Sequence, residues 1–276
     1  MDSLVSTDWL AQHLGKPDLV PVDCTWFMPS LNRNPRDEYL AAHIPGARFL
    51  DIDEVADRSN PAPHMLPTAE HFAAAMEQLG IGSSDRIVVY DNSPHRTAAR
   101  GWFTFRHFGA RHVALLDGGF GNWLAEGRPT ESGEAAPRAA CFEVSETPDV
   151  VDKPHILGGL DVPLLDARGR ARFVGAEADP RSGVAPGHIP GARNLPSAEL
   201  YNADGTFKSV EELERLFALA GIDPAKPFVA SCGSGVTANS LIFAAHVIGN
   251  DDTRLYDGSW SEWGADPATP KAQGPA

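Results

Sequence analysis

Short apolar runs recur along the chain, each closing on a carboxylate, a thiol or a glycine, with stretches of helical spacing between them. Val20–Asp23, Ile87–Asp91, Pro163–Asp166 and Phe228–Cys232 are runs of the first kind; Ala69–Leu79, Val210–Ala220 and Ala238–Ile248 are stretches of the second. Ser209 stands where it can cap the helix from Val210, and Glu212, three residues on, completes a capping box. Strands alternating with helices predict βαβ units and a mainly parallel sheet covered on both faces, an α/β fold.

The pattern is written twice. His43-Ile44-Pro45-Gly46-Ala47-Arg48 returns as His188-Ile189-Pro190-Gly191-Ala192-Arg193. Leu116-Asp117-Gly118-Gly119-Phe120-Gly121-Asn122-Trp123 returns as Tyr256-Asp257-Gly258-Ser259-Trp260-Ser261-Glu262-Trp263, and Ile87–Asp91 matches Phe228–Cys232. These segments keep their order and nearly one offset, close to half the chain, which identifies a tandem duplication. Gly127–Pro154 is rich in Pro, Ala, Glu and Ser and has no sustained period, so it reads as a linker. The expected organisation is a first domain over 1–130, a linker over 131–154 and a second domain over 155–276.

Composition narrows the function. A chain of 276 residues suits two domains with separate cores. A net charge of −14 argues against nucleic acid or an anionic membrane as partner, while a small anion can still bind where positive groups are local. No apolar run approaches the roughly 20 residues that span a bilayer, and Met1–Gly15 lacks the pattern of a secretory signal. Cys24, Cys141 and Cys232 are too few and too scattered for a disulfide framework, which points to a reducing, cytoplasmic setting. No H-E-x-x-H, C-x-x-C or G-x-x-x-x-G-K-[ST] spacing occurs, so neither a metal nor a cofactor is expected.

The candidate chemistry centres on Cys232, delivered by an apolar strand to the loop Gly233-Ser234-Gly235-Val236-Thr237, with a helix beyond. Backbone N–H groups and the positive end of a helix dipole favour a thiolate there, the nucleophilic form of sulfur. Gly233 and Gly235 read either as turn glycines or as residues that let consecutive N–H groups point at the sulfur. Ser234 and Thr237 can cap the helix. Asp91 holds the equivalent place in the first half, in a loop with a proline and no glycine, so that half looks retired from chemistry. Cys24 reads as packing, and Cys141 lies in the linker.

On these residues the chain resembles the two-domain rhodanese-type sulfurtransferases, over nearly its whole length. Cys232-Gly233-Ser234-Gly235-Val236-Thr237, His64-Met65-Leu66-Pro67 and Tyr256–Trp263 are similar to the 3-mercaptopyruvate branch of that family, whereas thiosulfate-preferring members carry basic residues directly after the cysteine. The resemblance implies two tandem rhodanese-like domains and sulfur transfer from 3-mercaptopyruvate through a Cys232 persulfide. The acceptor would be cyanide or a thiol, such as thioredoxin or glutathione. It places the substrate against Gly233, Gly235, Val236 and Thr237, makes Ser234 a proton relay, and makes Arg172 and Arg181 a clamp on the substrate carboxylate and carbonyl. Arg168 and Arg170 would add to a local positive pocket. It also suggests His43 for a Ser–His–acid relay, although Asn32-Arg33-Asn34 stands where the acid is expected and Asp37 and Glu38 are the nearest carboxylates. His188, its repeat partner, is expected to make a structural hydrogen bond.

Overall fold

Strands with no exposed face need a partner on each side, and the repeated apolar runs find theirs in two parallel sheets. The computed structural model describes residues 1–275. In chain order the first half contributes β1 (Leu4–Val5), α1 (Thr7–His13), β2 (Leu19–Asp23), α2 (Pro35–Ala41), β3 (Arg48–Phe49), α3 (Ile52–Val55), α4 (Ala69–Leu79), β4 (Arg86–Tyr90), α5 (Ala98–His107), β5 (His112–Leu116) and α6 (Gly119–Ala125). The second half contributes β6 (Val150–Val151), α7 (Lys153–Leu157), β7 (Leu164–Asp166), α8 (Arg170–Phe173), β8 (Arg193–Asn194), α9 (Val210–Leu219), β9 (Phe228–Ser231), α10 (Ala238–Ile248), β10 (Thr253–Tyr256) and α11 (Ser259–Trp263). The sheets run β1-β5-β4-β2-β3 and β6-β10-β9-β7-β8, the same order twice, and every pairing is parallel. Among the described residues no helix is long and apolar enough to cross a membrane.

Local signals placed the long helices well. Thr68 caps α4 through His71 N–H, and Gly80 closes it at φ +72°. Ser209 and Glu212 form the expected capping box on α9. In each unit the repeated histidine does the same work. His43 Nδ1 lies 2.8 Å from the Tyr39 carbonyl and its ring stacks on Tyr39 at 4.2 Å. His188 Nδ1 lies 2.8 Å from the Phe173 carbonyl and stacks on Phe173 at 3.8 Å. Each also forms an isolated bridge, to Glu131 and Ala272 respectively. A buried ring that bonds and stacks this way fixes the turn before a short strand.

Two compact units emerge. Unit 1 comprises Met1–Ala56, Leu66–Thr147 and Ala203–Phe207; unit 2 comprises Asp57–Met65, Pro148–Asn202 and the chain from Lys208 onward. Each therefore includes a short segment from the other half of the sequence.

The units differ where the repeat puts its spare loop. In unit 1 a long excursion separates β2 from α2, and the helix then leads straight to His43. In unit 2 the helix α8 follows β7 closely, and the spare residues come after it, as the loop from Val174 to Gly187 that carries Asp179 and Arg181. The strand-end carboxylates differ too. Asp166 of unit 2 is buried against Arg168, whose Nη2 donates to it at 2.7 Å and to the Gly187 carbonyl at 2.8 Å. Asp23 of unit 1 has no guanidinium partner among the described residues; it accepts from the Thr25 hydroxyl and N–H at 2.5 and 2.9 Å.

Burial, reinforced by the nearby Asp91 carboxylate, pushes Asp23 up to about 7 from an ordinary 3.8. Between those values the folded chain keeps a proton that the unfolded chain has released, so stability falls as pH rises through that window. Integrated at about 1.4 kcal/mol per unit, the loss is up to about 4 kcal/mol. Asp23→Asn should flatten this slope and raise the denaturation midpoint at pH 8 while changing little near pH 4. Urea titrations across that range check it, and a variant with the native pH slope would remove Asp23 as its source.

Candidate active site

Cys232 follows β9 directly and is almost wholly buried, with α10 starting beyond the loop Gly233–Thr237. The loop is built around backbone that side chains would block. Gly235 has φ +72°, and a Cβ there would lie 2.6 Å from both the carbonyl and a carboxylate oxygen of Asp257. The first turn of α11 buttresses it from below: Trp260 N–H donates to the Cys232 carbonyl at 3.0 Å and Ser261 N–H to the Gly233 carbonyl at 2.8 Å. Asn239 in α10 donates its amide to the carbonyls of Gly235 and Val236 at 2.6 and 2.9 Å.

Ser259 is the centre of this support. Its hydroxyl accepts the N–H groups of Cys232 and Gly235, each at 3.1 Å, and donates its one proton to the Tyr256 carbonyl at 2.8 Å. The Cys232 sulfur, 4.0 Å from the same oxygen, is left in van der Waals contact. Of the consecutive loop N–H groups considered for the sulfur, those of Cys232 and Gly235 go to Ser259 instead. The N–H groups of Gly233, Ser234, Val236 and Thr237 have no acceptor among the described residues. Ser259→Ala strands two buried donors, each costing about 1–3 kcal/mol, so the variant should be about 2–4 kcal/mol less stable. Chemical denaturation reads this, and a loss under about 0.5 kcal/mol, the range of ordinary surface changes, would show that the hydroxyl is dispensable.

Arg172 and Arg181 meet beside the cysteine. A Cβ on Gly233 would lie 3.3 Å from Arg172 Nη2 and 3.3 Å from Arg181 Nη1, so the missing side chain is what admits both guanidiniums. Between them sits Asp179, accepting from Arg172 Nη2 at 2.6 Å, Arg181 Nη1 at 3.3 Å and Arg181 N–H at 3.0 Å. Hydrogen bonds and charge from both arginines outweigh burial and hold its carboxyl below the usual carboxylate range. Arg172 Nε is buried without a protein partner. Arg168, by contrast, is a buried structural cation: besides its ion pair it lies 4.6 Å over the Trp260 ring. Arg170 is mostly exposed, 3.9 Å from Glu199.

The histidine that meets Ser234 is His64, not His43. His64 belongs to the segment Asp57–Met65 of unit 2, and its Nδ1 lies 2.8 Å from the Ser234 hydroxyl. That segment is folded by its own polar groups: Asp57 N–H donates to the Met65 carbonyl, and Asp57 and Asn60 carboxyl and amide oxygens take the N–H groups of Ser59 and Ala62. His64 has φ +62°, an uncommon conformation for a side-chain-bearing residue. Counted back from the helix caps Thr68 and Ser209, its repeat counterpart is Gly205, also left-handed at φ +87°. His43 remains in unit 1, its ring occupied by Tyr39. The motif His64-Met65-Leu66-Pro67 was the available signal; counted upstream from it, Asp53 and Glu54 fall where Asn32 and Arg33 fell for His43.

In unit 1 the equivalent position is closed. Asp91 is buried and accepts the N–H groups of Ser93 and Ala98 at 2.8 and 2.7 Å, and burial raises its pKa. Cys24 is packed on Gly101 and pushed up first by burial and then by Asp23 and Asp91, which disfavours its thiolate. Cys141 is exposed. No group of three or more His, Cys, Asp or Glu among the described residues is placed to hold a metal.

Comparison with known proteins agrees with the duplicated fold. The rhodanese-like domain profile matches residues 6–126 and again 147–266. The 3-mercaptopyruvate sulfurtransferase of Rattus norvegicus is 43% identical over 272 residues, covering 95% of this chain and 91% of that protein. The mitochondrial thiosulfate/3-mercaptopyruvate sulfurtransferase 1 of Arabidopsis thaliana is 40% identical over 296 residues, covering 98% of this chain and 78% of that one. The crystal structure of the Escherichia coli 3-mercaptopyruvate sulfotransferase SseA superposes with a TM-score of 0.86 at 37% identity, covering 95% of this chain and all of that one.

Proposed function

The chain belongs to the rhodanese-like family, and from that premise we propose that it is a sulfurtransferase that takes sulfur from 3-mercaptopyruvate. The observation that carries the reading is the arginine pair set over Gly233, next to the strand-end cysteine. A guanidinium fork matches a carboxylate in two-point geometry, and an α-keto acid offers a carboxylate and a carbonyl side by side.

The reaction proceeds in two transfers. Arg172 and Arg181 hold the substrate, and the Cys232 thiolate attacks its sulfur. The S–S bond forms as the C–S bond breaks, and the electron pair leaves on carbon as the enolate of pyruvate. The N–H groups of Gly233, Ser234, Val236 and Thr237, without an acceptor among the described residues, are the donors available to the charge that develops around the sulfur. Protonation of the enolate carbon releases pyruvate; Ser234 relays that proton, and its contact with His64 supports the role. A thiolate acceptor or cyanide then attacks the outer sulfur of the persulfide and returns Cys232 to its thiolate. Thioredoxin or glutathione in a reducing, cytoplasmic compartment fits the three free cysteines.

Thiosulfate is the alternative donor, since the Arabidopsis relative carries it in its name. Gly233 and Ser234 after the cysteine, in place of basic residues, weigh against it. Intact mass spectrometry of the reduced protein after exposure to each donor decides the matter. One added sulfur from 3-mercaptopyruvate and little from thiosulfate supports the proposal. The opposite preference transfers the chain to the thiosulfate class, and no added sulfur from either leaves a rhodanese-like fold that serves as an interaction module.

A further inference from the structure

Two arginines beside a thiolate present a difficulty that the structure resolves within one loop. Brought together without a counter-ion, their guanidiniums repel each other and attract the most highly charged anion available. Here they are bridged. Asp179 has a side chain only 1% exposed, while those of Arg172 and Arg181 are 23% and 26% exposed. Its Oδ2 takes Arg172 Nη2 and its Oδ1 takes Arg181 Nη1, so one carboxylate sets the spacing of both cations. Oδ1 also takes the N–H of Arg181, which pins the turn Asp179-Pro180-Arg181 and with it the direction in which Arg181 leaves the backbone. Neither guanidinium has a further protein partner among the described residues, and their remaining donors, the buried Arg172 Nε included, are left for a ligand.

We propose that Asp179 is the positioning and specificity-determining residue of this site, matching it to a monocarboxylate donor and against a dianionic one. Resting on the sulfur-transfer reading above, this selectivity comes from charge balance. Two guanidiniums and one carboxylate leave a single net positive charge, which a substrate with one carboxylate neutralises. A dianion such as thiosulfate would bring one uncompensated negative charge next to the Cys232 thiolate. Without the Asp179 charge the pair carries two positive charges, and a dianion becomes the better match. Loss of the bridge also lets the guanidiniums separate, which spoils two-point contact with a keto acid and matters less to a compact, nearly symmetric anion. Both effects move donor preference in the same direction.

The test compares Asp179→Asn and Asp179→Glu with the native protein, using 3-mercaptopyruvate and thiosulfate as donors and cyanide as acceptor. In Asp179→Asn the ratio of kcat/KM for thiosulfate to that for 3-mercaptopyruvate should rise at least about tenfold, the effect of one moderately screened charge contact. The rise should lie mainly in KM, and Asp179→Glu should restore the ratio to within about threefold of native, the usual context dependence of one such contact. Calorimetric binding of pyruvate and of sulfate reads the same selectivity without turnover, with sulfate gaining on pyruvate in Asp179→Asn alone. A parallel fall for both donors, or a glutamate variant that behaves like the asparagine one, overturns the inference and leaves Asp179 a structural bridge. Native donor preference is a separate readout: a native protein that favours thiosulfate would refute the proposed function, yet the shift between variants would still be scored.

Discussion

Cys232→Ser should abolish turnover with either sulfur donor, by more than about three orders of magnitude, and leave the protein folded. Serine fits the same buried position, and its N–H can still bond to Ser259, so the loop has no reason to move. What is lost is the nucleophile: a hydroxyl stays protonated where a thiol ionises, and oxygen cannot carry the transferred sulfur as a persulfide. The variant should show a native circular dichroism spectrum and no gain of sulfur mass. Neither remaining thiol can substitute. Cys24 is sealed under α5 with its thiolate disfavoured, and partial desolvation and the Glu77 carboxylate likewise raise the pKa of the exposed Cys141. Residual activity above about a tenth of native would place the chemistry elsewhere.

Arg181→Ala and Arg172→Ala should each lower kcat/KM for 3-mercaptopyruvate by about 10- to 100-fold, since a charge-assisted hydrogen bond contributes about 1.5–3 kcal/mol. The loss should fall mainly on KM for Arg181, whose contacts to Asp179 are weaker and whose guanidinium is freer to engage a ligand. Lysine should not restore either, because a point charge lacks the planar fork. The two losses should not add: removing one arginine frees Asp179 to draw the other away, so the double variant falls short of the product of the singles. Steady-state kinetics with 3-mercaptopyruvate checks all five variants. Unchanged KM in both alanine variants would mean that the substrate carboxylate is held by other groups.

The elements that sequence reasoning located are those whose stabilising interactions are local. Helix α4 ends where Gly80 ends it, and α9 begins where Ser209 and Glu212 close their box, because a cap bonds within one turn of itself. The duplication was legible for a related reason: a buried strand and the turn after it need the same residue types whichever half they occupy. Cys232 stood out because strand, small-residue loop and helix follow one another directly.

The resemblance suggested His43, but its repeated place, shared with His188, reflects stacking on Tyr39 and Phe173, and the histidine that meets Ser234 is His64. His64 has no counterpart among the repeated motifs; its partner Ser234 lies 170 positions away, and no local pattern encodes such a meeting. Ser259 was hidden likewise, being read only as part of a repeated turn, although its hydroxyl anchors the loop that presents the thiol. Asp179 lay in plain view between the two arginines, but whether a carboxylate bridges cations or faces water depends on the path of the loop that carries it.

Period, caps and repetition therefore determined the α/β class and the two sheets and singled out Cys232, because each rests on interactions between neighbours in the chain. The choice of histidine, the serine beneath the loop and the charge balance of the arginine pair were settled by folding. They depend on where loops of no regular period come to rest, and that is determined by packing between residues far apart in sequence.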